Sequence, residues 1–575
     1  MSPFSILQIV LFCAAVALIT KPLGVYMYRV FAGERTFMTP VVRPVERLIY
    51  RICGVDAERE MRWTSYTIAM LAFNLVGLLI LYAILRLQGI DILSPGHYPA
   101  MRPDLAFNVS VSFVTNTNWQ SYVPEQSITY VSQAIGLTVQ NFVSAATGIA
   151  LAIALIRGLT RHSAREIGNF WVDMVRSTLY ILLPISIVLA VVLVSQGTIQ
   201  NLHSPTKVKT LEGQTQTIMQ GQVASQEAIK ELGTNGGGYM NANAAHPYEN
   251  PTGLSNLLEM LAIFAVAAGL TYTFGRMAGD QRQGWVLFGA SAILFLAALG
   301  VVLVNEQLGN PNVKAVGVNQ AYSATQAGGN MEGKEVRFGI AASGLWGVVT
   351  TDTSCGAVDS MHDSYTPLAG GMVMMDMALG ELVFGGVGAG MLGIIVFAVL
   401  TVFIAGLMVG RTPEYLCKKI EAKEMKMAVL AVMVLEATVL GFAALAIATK
   451  TGQAAILNKG PHGLSEILYA YTEGVGNNGS AFAGISANNT FYNSTLGIAM
   501  LFGRFLYIIP IMAIAGSMVE KKVTPPSAGT FRTNNGLFVG LLIAVIIIVG
   551  ALTFFPAYAL GPIVEHILMY AHKLF

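Results

Sequence analysis

Of 575 residues, 54% are apolar and only 11% charged, whereas an ordinary soluble domain carries roughly 25% charge. Charge is expensive inside a bilayer, so this deficit excludes a soluble, multi-core protein and puts most of the chain in apolar surroundings. The net charge of +2 selects no partner, and no nucleic-acid partner is expected.

Apolar runs of about 18 residues or more are candidates for membrane helices. They fall near 4–28, 63–87, 130–159, 167–196, 252–277, 284–304, 367–410, 426–449, 491–518 and 537–559, ten in all. No basic residue precedes the first run, so it reads as a retained helix and not as a signal peptide. The seventh run would reach roughly 60 Å as one helix, about twice the hydrocarbon thickness. It is expected to break at Gly385, Gly386, Gly388 and Gly390, because glycine weakens a helix interior. Basic residues crowd the odd-numbered loops, with seven arginines from Arg29 to Arg62 in the first and Arg411, Lys418, Lys419, Lys423 and Lys426 in the seventh. The excess of Lys and Arg predicts that these loops are cytoplasmic and that both termini lie outside. The outer segments 198–222 and 305–336 are rich in Gly, Gln and Asn and are expected to be surface loops.

Four short polar turns fall in the outer loops: TNTNWQ from Thr115, TNGGGY from Thr234, SCGAVD from Ser354 and NNGSAF from Asn477. The segments 103–114, 223–233, 337–350 and 462–475 precede them, with lengths that suit re-entrant half-helices. The pattern predicts an all-α polytopic membrane protein. Ten transmembrane helices would form four pseudo-repeated helix–pore loop–helix units around a central pore, with one extra helix at each end. The expected boundaries are a first helix and basic loop at 1–61, pore units at 62–160, 161–278, 279–412 and 413–520, and a closing helix at 521–575.

Four polar loops meeting on one axis can strip water from a cation with backbone carbonyls. Aligned without gaps, the turns give Thr115, Asn116 and Thr117; Thr234, Asn235 and Gly236; Ser354, Cys355 and Gly356; and Asn477, Asn478 and Gly479. No carboxylate occurs in this core, which argues for a monovalent cation and against a divalent one. Gln120 and Asp359 align just outside it and are candidates for the entrance. Glu381 and Arg504 lie within apolar runs, where ionisable groups usually face the interior and pair; a Glu381–Arg504 pair is the expectation, either lining a cavity or gate or stapling two helices together. Gly388, Gly390 and Gly393 match a dinucleotide-binding pattern, but membrane-apolar flanks exclude that use. Cys13, Cys53, Cys355 and Cys417 have no metal-ligand spacing, and no disulfide framework is expected. Neither a Walker A sequence nor an Asp-Lys-Thr-Gly phosphorylation sequence is present, so no ATP binding by this chain is expected.

TNTNWQSY, ELGTNGGGYMNANAAHPYENP, TSCGAVDSMHDSYTPLAGG, EGVGNNGSAFAGI and GRTPEYLCKKIEAKEMK together resemble, over the whole chain, the potassium-binding A subunit of the bacterial Kdp potassium-transporting ATPase. That family is related to the Trk and Ktr potassium transporters. The resemblance implies an inner-membrane complex with a catalytic B subunit, which is a P-type ATPase and hydrolyses the ATP, together with a C subunit and a small F peptide. The A subunit would select K⁺ from the periplasm at the turn residues above and pass it sideways to the P-type ATPase. The glycine-interrupted helix would block the straight path, and Arg411 would lie near the catalytic partner. A self-sufficient K⁺ channel or ion-coupled symporter of the Trk/Ktr type is the alternative that architecture alone leaves open.

Overall fold

The computed structural model describes residues 3–90, 98–323, 325–525 and 530–573. Among the described residues, ten helices are long and apolar enough to cross a membrane, and the sheets are two-stranded pairs. The chain opens with α1 (Pro3–Phe31) and α2 (Thr39–Cys53). It continues through α3 (Trp63–Leu87), α4 (Pro103–Val114) and α5 (Ser132–Thr160), then α6 (Phe170–Gln196), α7 (Val223–Leu232) and α8 (Gly253–Met277). Next come α9 (Gln281–Leu308), α10 (Gly339–Asp352), α11 (Pro367–Ala378) and α12 (Ala389–Met408). It ends with α13 (Ala422–Ala448), α14 (Gly460–Gly476), α15 (Thr490–Glu520) and α16 (Gly536–Tyr570).

The four short helices α4, α7, α10 and α14 have 12, 10, 14 and 17 residues. At about 1.5 Å per residue none reaches across about 30 Å of hydrocarbon. α4, α7 and α14 each lie between two longer helices, and α10 lies between α9 and the interrupted pair α11 and α12; in every case the longer helix that follows is the inner one. In the most apolar stretch of α5, α8, α12 and α15, 89, 83, 72 and 61% of residues are buried, against 22, 33, 50 and 28% for α3, α6, α9 and α13. Small residues permit this inner packing. A Cβ at Gly24 of α1 would lie 2.6 Å from Cβ of Tyr272 on α8, and one at Gly158 of α5 would lie 2.7 Å from Cα of Ala515 on α15.

The seventh apolar run breaks as expected, but sooner. α11 stops at Ala378, and residues 379–388 run irregularly before α12 begins at Ala389. Gly380 and Gly388 take φ of 92° and 91°, and Glu381 and Phe384 also have positive φ. The reversal thus starts at Gly380, ahead of the glycine cluster. Two other elements differ from the sequence expectation. The segment 198–222 contains an antiparallel hairpin of β1 (Thr206–Lys209) and β2 (Thr215–Ile218). The first basic loop contains α2, where Val41, Val45, Leu48 and Ile52 recur at helical spacing and are exposed. Its other side docks through Glu46, which accepts hydrogen bonds from Tyr180 at 2.8 Å and Arg176 at 3.1 Å.

Candidate ion-binding site

The four short helices end alike. A residue in the left-handed region follows each one: Asn116 (φ 70°), Thr234 (φ 45°), Ser354 (φ 57°) and Asn477 (φ 62°). The next residue donates its N–H to the carbonyl five positions back: Thr117 to Ser112 at 2.9 Å, Asn235 to Lys230 at 2.8 Å, Cys355 to Thr350 at 3.1 Å and Asn478 to Glu473 at 2.9 Å. This is the Schellman closure of a helix C-terminus. A second left-handed residue follows in each turn: Asn118 (φ 56°), Gly236 (φ 80°), Gly356 (φ 91°) and Gly479 (φ 91°).

This pattern corrects the gap-free alignment of the first turn by one residue. Asn116, Thr117 and Asn118 stand where the others have Thr234–Gly236, Ser354–Gly356 and Asn477–Gly479. Thr115 still belongs to the helix end, its hydroxyl donating to Val111 O at 2.9 Å. Asn118 was missed because the first turn has no glycine. The available signal was asparagine's tolerance of positive φ, repeated at a spacing of two.

The four turns close into a ring. A Cβ on Gly236 would collide with the Cys355 carbonyl, one on Gly356 with that of Asn478, one on Gly479 with that of Thr117, and one on Gly237 with that of Asn118. Side chains tie neighbouring turns together. Asn116 Nδ2 donates to Thr234 O at 2.8 Å, Ser354 Oγ to Asn477 O at 2.8 Å and Asn477 Nδ2 to Thr117 Oγ1 at 3.0 Å. From behind, Thr350 Oγ1 and Glu473 Oε2 accept the N–H groups of Gly356 and Gly479 at 3.0 and 3.1 Å. At the middle level the carbonyls of Thr117, Asn235, Cys355 and Asn478 accept no hydrogen bond from any described residue. Most buried carbonyls are paired, so four unpaired ones at one level of a ring leave acceptor capacity that the described residues do not use. Burial and the neighbouring Glu231 push the Cys355 thiol well above its ordinary pKa. The sulfur therefore stays protonated.

Outside the ring, a cavity of about 400 Å³ is lined by Trp119, Gln120, Ser121, Tyr469 and Glu473. Gln120 spans two turns, accepting from Gly238 N–H at 3.1 Å and donating to Tyr122 OH at 2.8 Å. Asp359 does not line this mouth. It is fully enclosed, neither carboxylate oxygen has a partner, and burial pushes its pKa up to about 8. The expectation that it attracts cations at the entrance fails because its turn folds the carboxyl behind the ring, where ionisation is costly.

At the other end, where the short helices stop, the irregular segment 379–388 closes against the ring. Val387 N–H donates to Thr234 Oγ1 at 2.9 Å, and a Cβ on Gly386 would lie 2.7 Å from Thr353 O. Gly385 and Gly390 fold against each other, and Gly388 meets the Gly148 carbonyl on α5. Glu381 and Arg504 are both buried but form no ion pair within 4 Å; Glu381 Oε1 accepts no hydrogen bond. Arg411 is exposed after α12, its guanidinium donating to Thr530 O at 3.4 Å. The four cysteines are all free.

Residues 10–567 match the family model described as the potassium-transporting ATPase A subunit. A potassium-transporting ATPase potassium-binding subunit of Solibacter usitatus (strain Ellin6076) is 58% identical over 574 residues, covering 100% of both chains. One from Bradyrhizobium diazoefficiens is 56% identical over 569 residues, covering 99% of each. Among solved structures, the potassium transporter TrkH from Vibrio parahaemolyticus superposes with a TM-score of 0.51 at 14% identity, covering 88% of this chain and 98% of that one. TrkH thus shares the fold. The family match and the relatives agree over essentially the whole length: the chain belongs to the family of potassium-transporting ATPase A subunits.

Proposed function

We propose that this chain is the potassium-binding and translocating component of an ATP-driven uptake complex. It selects K⁺ at the ring formed by Asn116–Thr117–Asn118, Thr234–Asn235–Gly236, Ser354–Cys355–Gly356 and Asn477–Asn478–Gly479. The observation that carries this reading is the set of unpaired carbonyls of Thr117, Asn235, Cys355 and Asn478. Carbonyl dipoles replace the hydration shell of a monovalent ion without the full charge a divalent ion demands. Four short helices aim their C-terminal, partially negative ends at the same place. Gln120 lies at the mouth, and the repeated order of long, short and long helices supports four pore units at 62–160, 161–278, 279–412 and 413–520.

The segment 379–388, which holds Glu381, Gly385, Gly386 and Gly388 and packs against Gly390, stands across the straight path below the ring near Arg504. A blocked straight path suits a protein that hands its ion sideways to a partner. In this reading the partner is the catalytic B subunit, a P-type ATPase that hydrolyses the ATP. The complex also contains a C subunit and a small F peptide, and Arg411 faces the P-type ATPase. The complex lies in the inner membrane with the ring opening outward. The names of the relatives favour this over a self-sufficient channel or symporter. The test is purification from the native membrane in mild detergent. Co-purification of a K⁺-stimulated ATPase is expected, and K⁺ uptake by vesicles holding this chain alone would contradict the reading.

The ring itself is tested by Gly479→Ala. The added Cβ would strike the Thr117 carbonyl, and its left-handed φ of 91° costs a non-glycine residue about 1–2 kcal/mol. K⁺ affinity is expected to fall at least about tenfold, the equivalent of ~1.4 kcal/mol. Unchanged affinity in isothermal titration would remove Gly479 from the ion path.

A further inference from the structure

Behind the second turn lies a group of charged side chains that the ring does not use. Glu227, Lys230 and Glu231 come from α7, Glu249 from the following loop and Glu259 from α8, and all five are buried. Lys230 Nζ lies 2.7 Å from Glu227 Oε2, 2.9 Å from Glu249 Oε2 and 2.9 Å from Asn243 Oδ1. Three contacts use the three protons of an ammonium group. Glu249 accepts at its other oxygen from the Tyr239 and Met240 N–H groups at 2.8 and 2.6 Å, and so serves as the carboxylate that balances Lys230.

The remaining oxygens have no such support. Glu227 Oε1, Glu231 Oε1 and both oxygens of Glu259 accept no hydrogen bond. Oxygens of Glu227, Glu231 and Glu259 lie within 4.8 Å of one another. Glu259 reaches this point from a different helix, with no exposed surface and no other partner. The Lys230 ammonium reaches Glu227 Oε2 at 2.7 Å and Glu231 Oε1 at 3.3 Å, but among the described residues no donor meets either oxygen of Glu259, which faces only other acceptors. Fully ionised, four carboxylates and one ammonium would bury three uncompensated negative charges, each costing several kcal/mol.

We propose that Glu227, Glu231 and Glu259 form a proton-binding site, in which two protons are shared through carboxyl–carboxylate hydrogen bonds. Each proton supplies a missing donor and removes one buried charge. A metal ion fits less well, because the Lys230 ammonium already lies 2.7 Å from Glu227 and 3.3 Å from Glu231 and would repel a second cation. The other groups facing the site are Asp359 and Cys355 from the third turn. Cys355 Sγ donates to Glu231 Oε2 at 3.5 Å, and Lys230 O accepts Asn235 N–H, so the site touches two turns of the ring.

The test is infrared spectroscopy of the purified full-length chain at neutral pH, with elemental analysis of the same sample. Glu259→Gln is expected to remove intensity from the carbonyl-stretch band of protonated carboxylic acids. Glu249→Gln is expected to spare that band and to remove carboxylate intensity. Loss of carboxylate intensity alone in Glu259→Gln would overturn the proposal. If Glu259→Gln does not fold, Glu231→Gln must show the same loss of acid band. One equivalent of divalent metal in the wild-type protein, removed by a chelator, would also overturn it, and that measurement needs no variant.

Discussion

At the scale of single residues, backbone conformation decides which atoms each turn presents to the ring. Asn118 stands where the other three turns have glycine, and both residue types reach a left-handed φ at low cost. Asn118→Gly is therefore expected to leave K⁺ affinity within about twofold, or ~0.4 kcal/mol, whereas Asn118→Val should abolish binding, since a β-branched residue resists that φ. Equal tolerance of both in binding titrations would return the first turn to the gap-free alignment. Asp359 makes a pH prediction. Burial holds its native pKa at about 8 against an ordinary 3.8, so the native state keeps a proton that the unfolded chain releases. Its stability contribution is full below pH 3.8 and is lost as pH rises through 8. Asp359→Asn should thus gain thermal stability over wild type as pH rises through that window and match it near pH 4. A difference independent of pH would place the carboxyl in water. The register of the first turn was only faintly legible, in two asparagines spaced by two, because it rests on φ angles; the burial of Asp359 was not legible, because it rests on how its turn folds behind the ring.

At the scale of elements, the apolar runs and the short segments before each turn were legible, because length and hydropathy fix what crosses a bilayer. α4, α7, α10 and α14 each fall within two residues of the expected ends. α2 was not legible as a helix while its arginines were counted only as loop charge, and the break after α11 starts at Gly380 because the chain reverses before the glycine cluster. The outer end of α14 is tied to its neighbours by His462, which lies 2.8 Å from Asp363 and 2.7 Å from Glu565 on α16. Burial alone lowers the imidazole pKa, but hydrogen bonds to the two carboxylates and their charges raise it to about 10 from 6.5. The tie contributes its full stability below pH 6.5 and loses it as pH climbs through 10. His462→Gln should lower the melting temperature at pH 6, with the gap closing toward pH 10. A gap that widens with pH would mean that the charged imidazole does not hold these elements together.

At the scale of the whole molecule, the family match over residues 10–567 places the chain among ATPase A subunits, and TrkH shares its fold. In the proposed reading the straight path is blocked by residues 379–388, which close against the ring where Val387 N–H donates to Thr234 Oγ1. Deleting 383–387 is expected to raise passive K⁺ flux through vesicles holding only this chain by at least about tenfold, a barrier drop of ~1.4 kcal/mol. No increase would mean that the block lies elsewhere. The central claim is that four turns of one polypeptide present their middle carbonyls to one dehydrated K⁺. Anomalous scattering from crystals grown in Rb⁺ tests it most directly. The account predicts a peak shared by the carbonyl oxygens of Thr117, Asn235, Cys355 and Asn478. A ring without a peak, with Rb⁺ bound elsewhere, would contradict it.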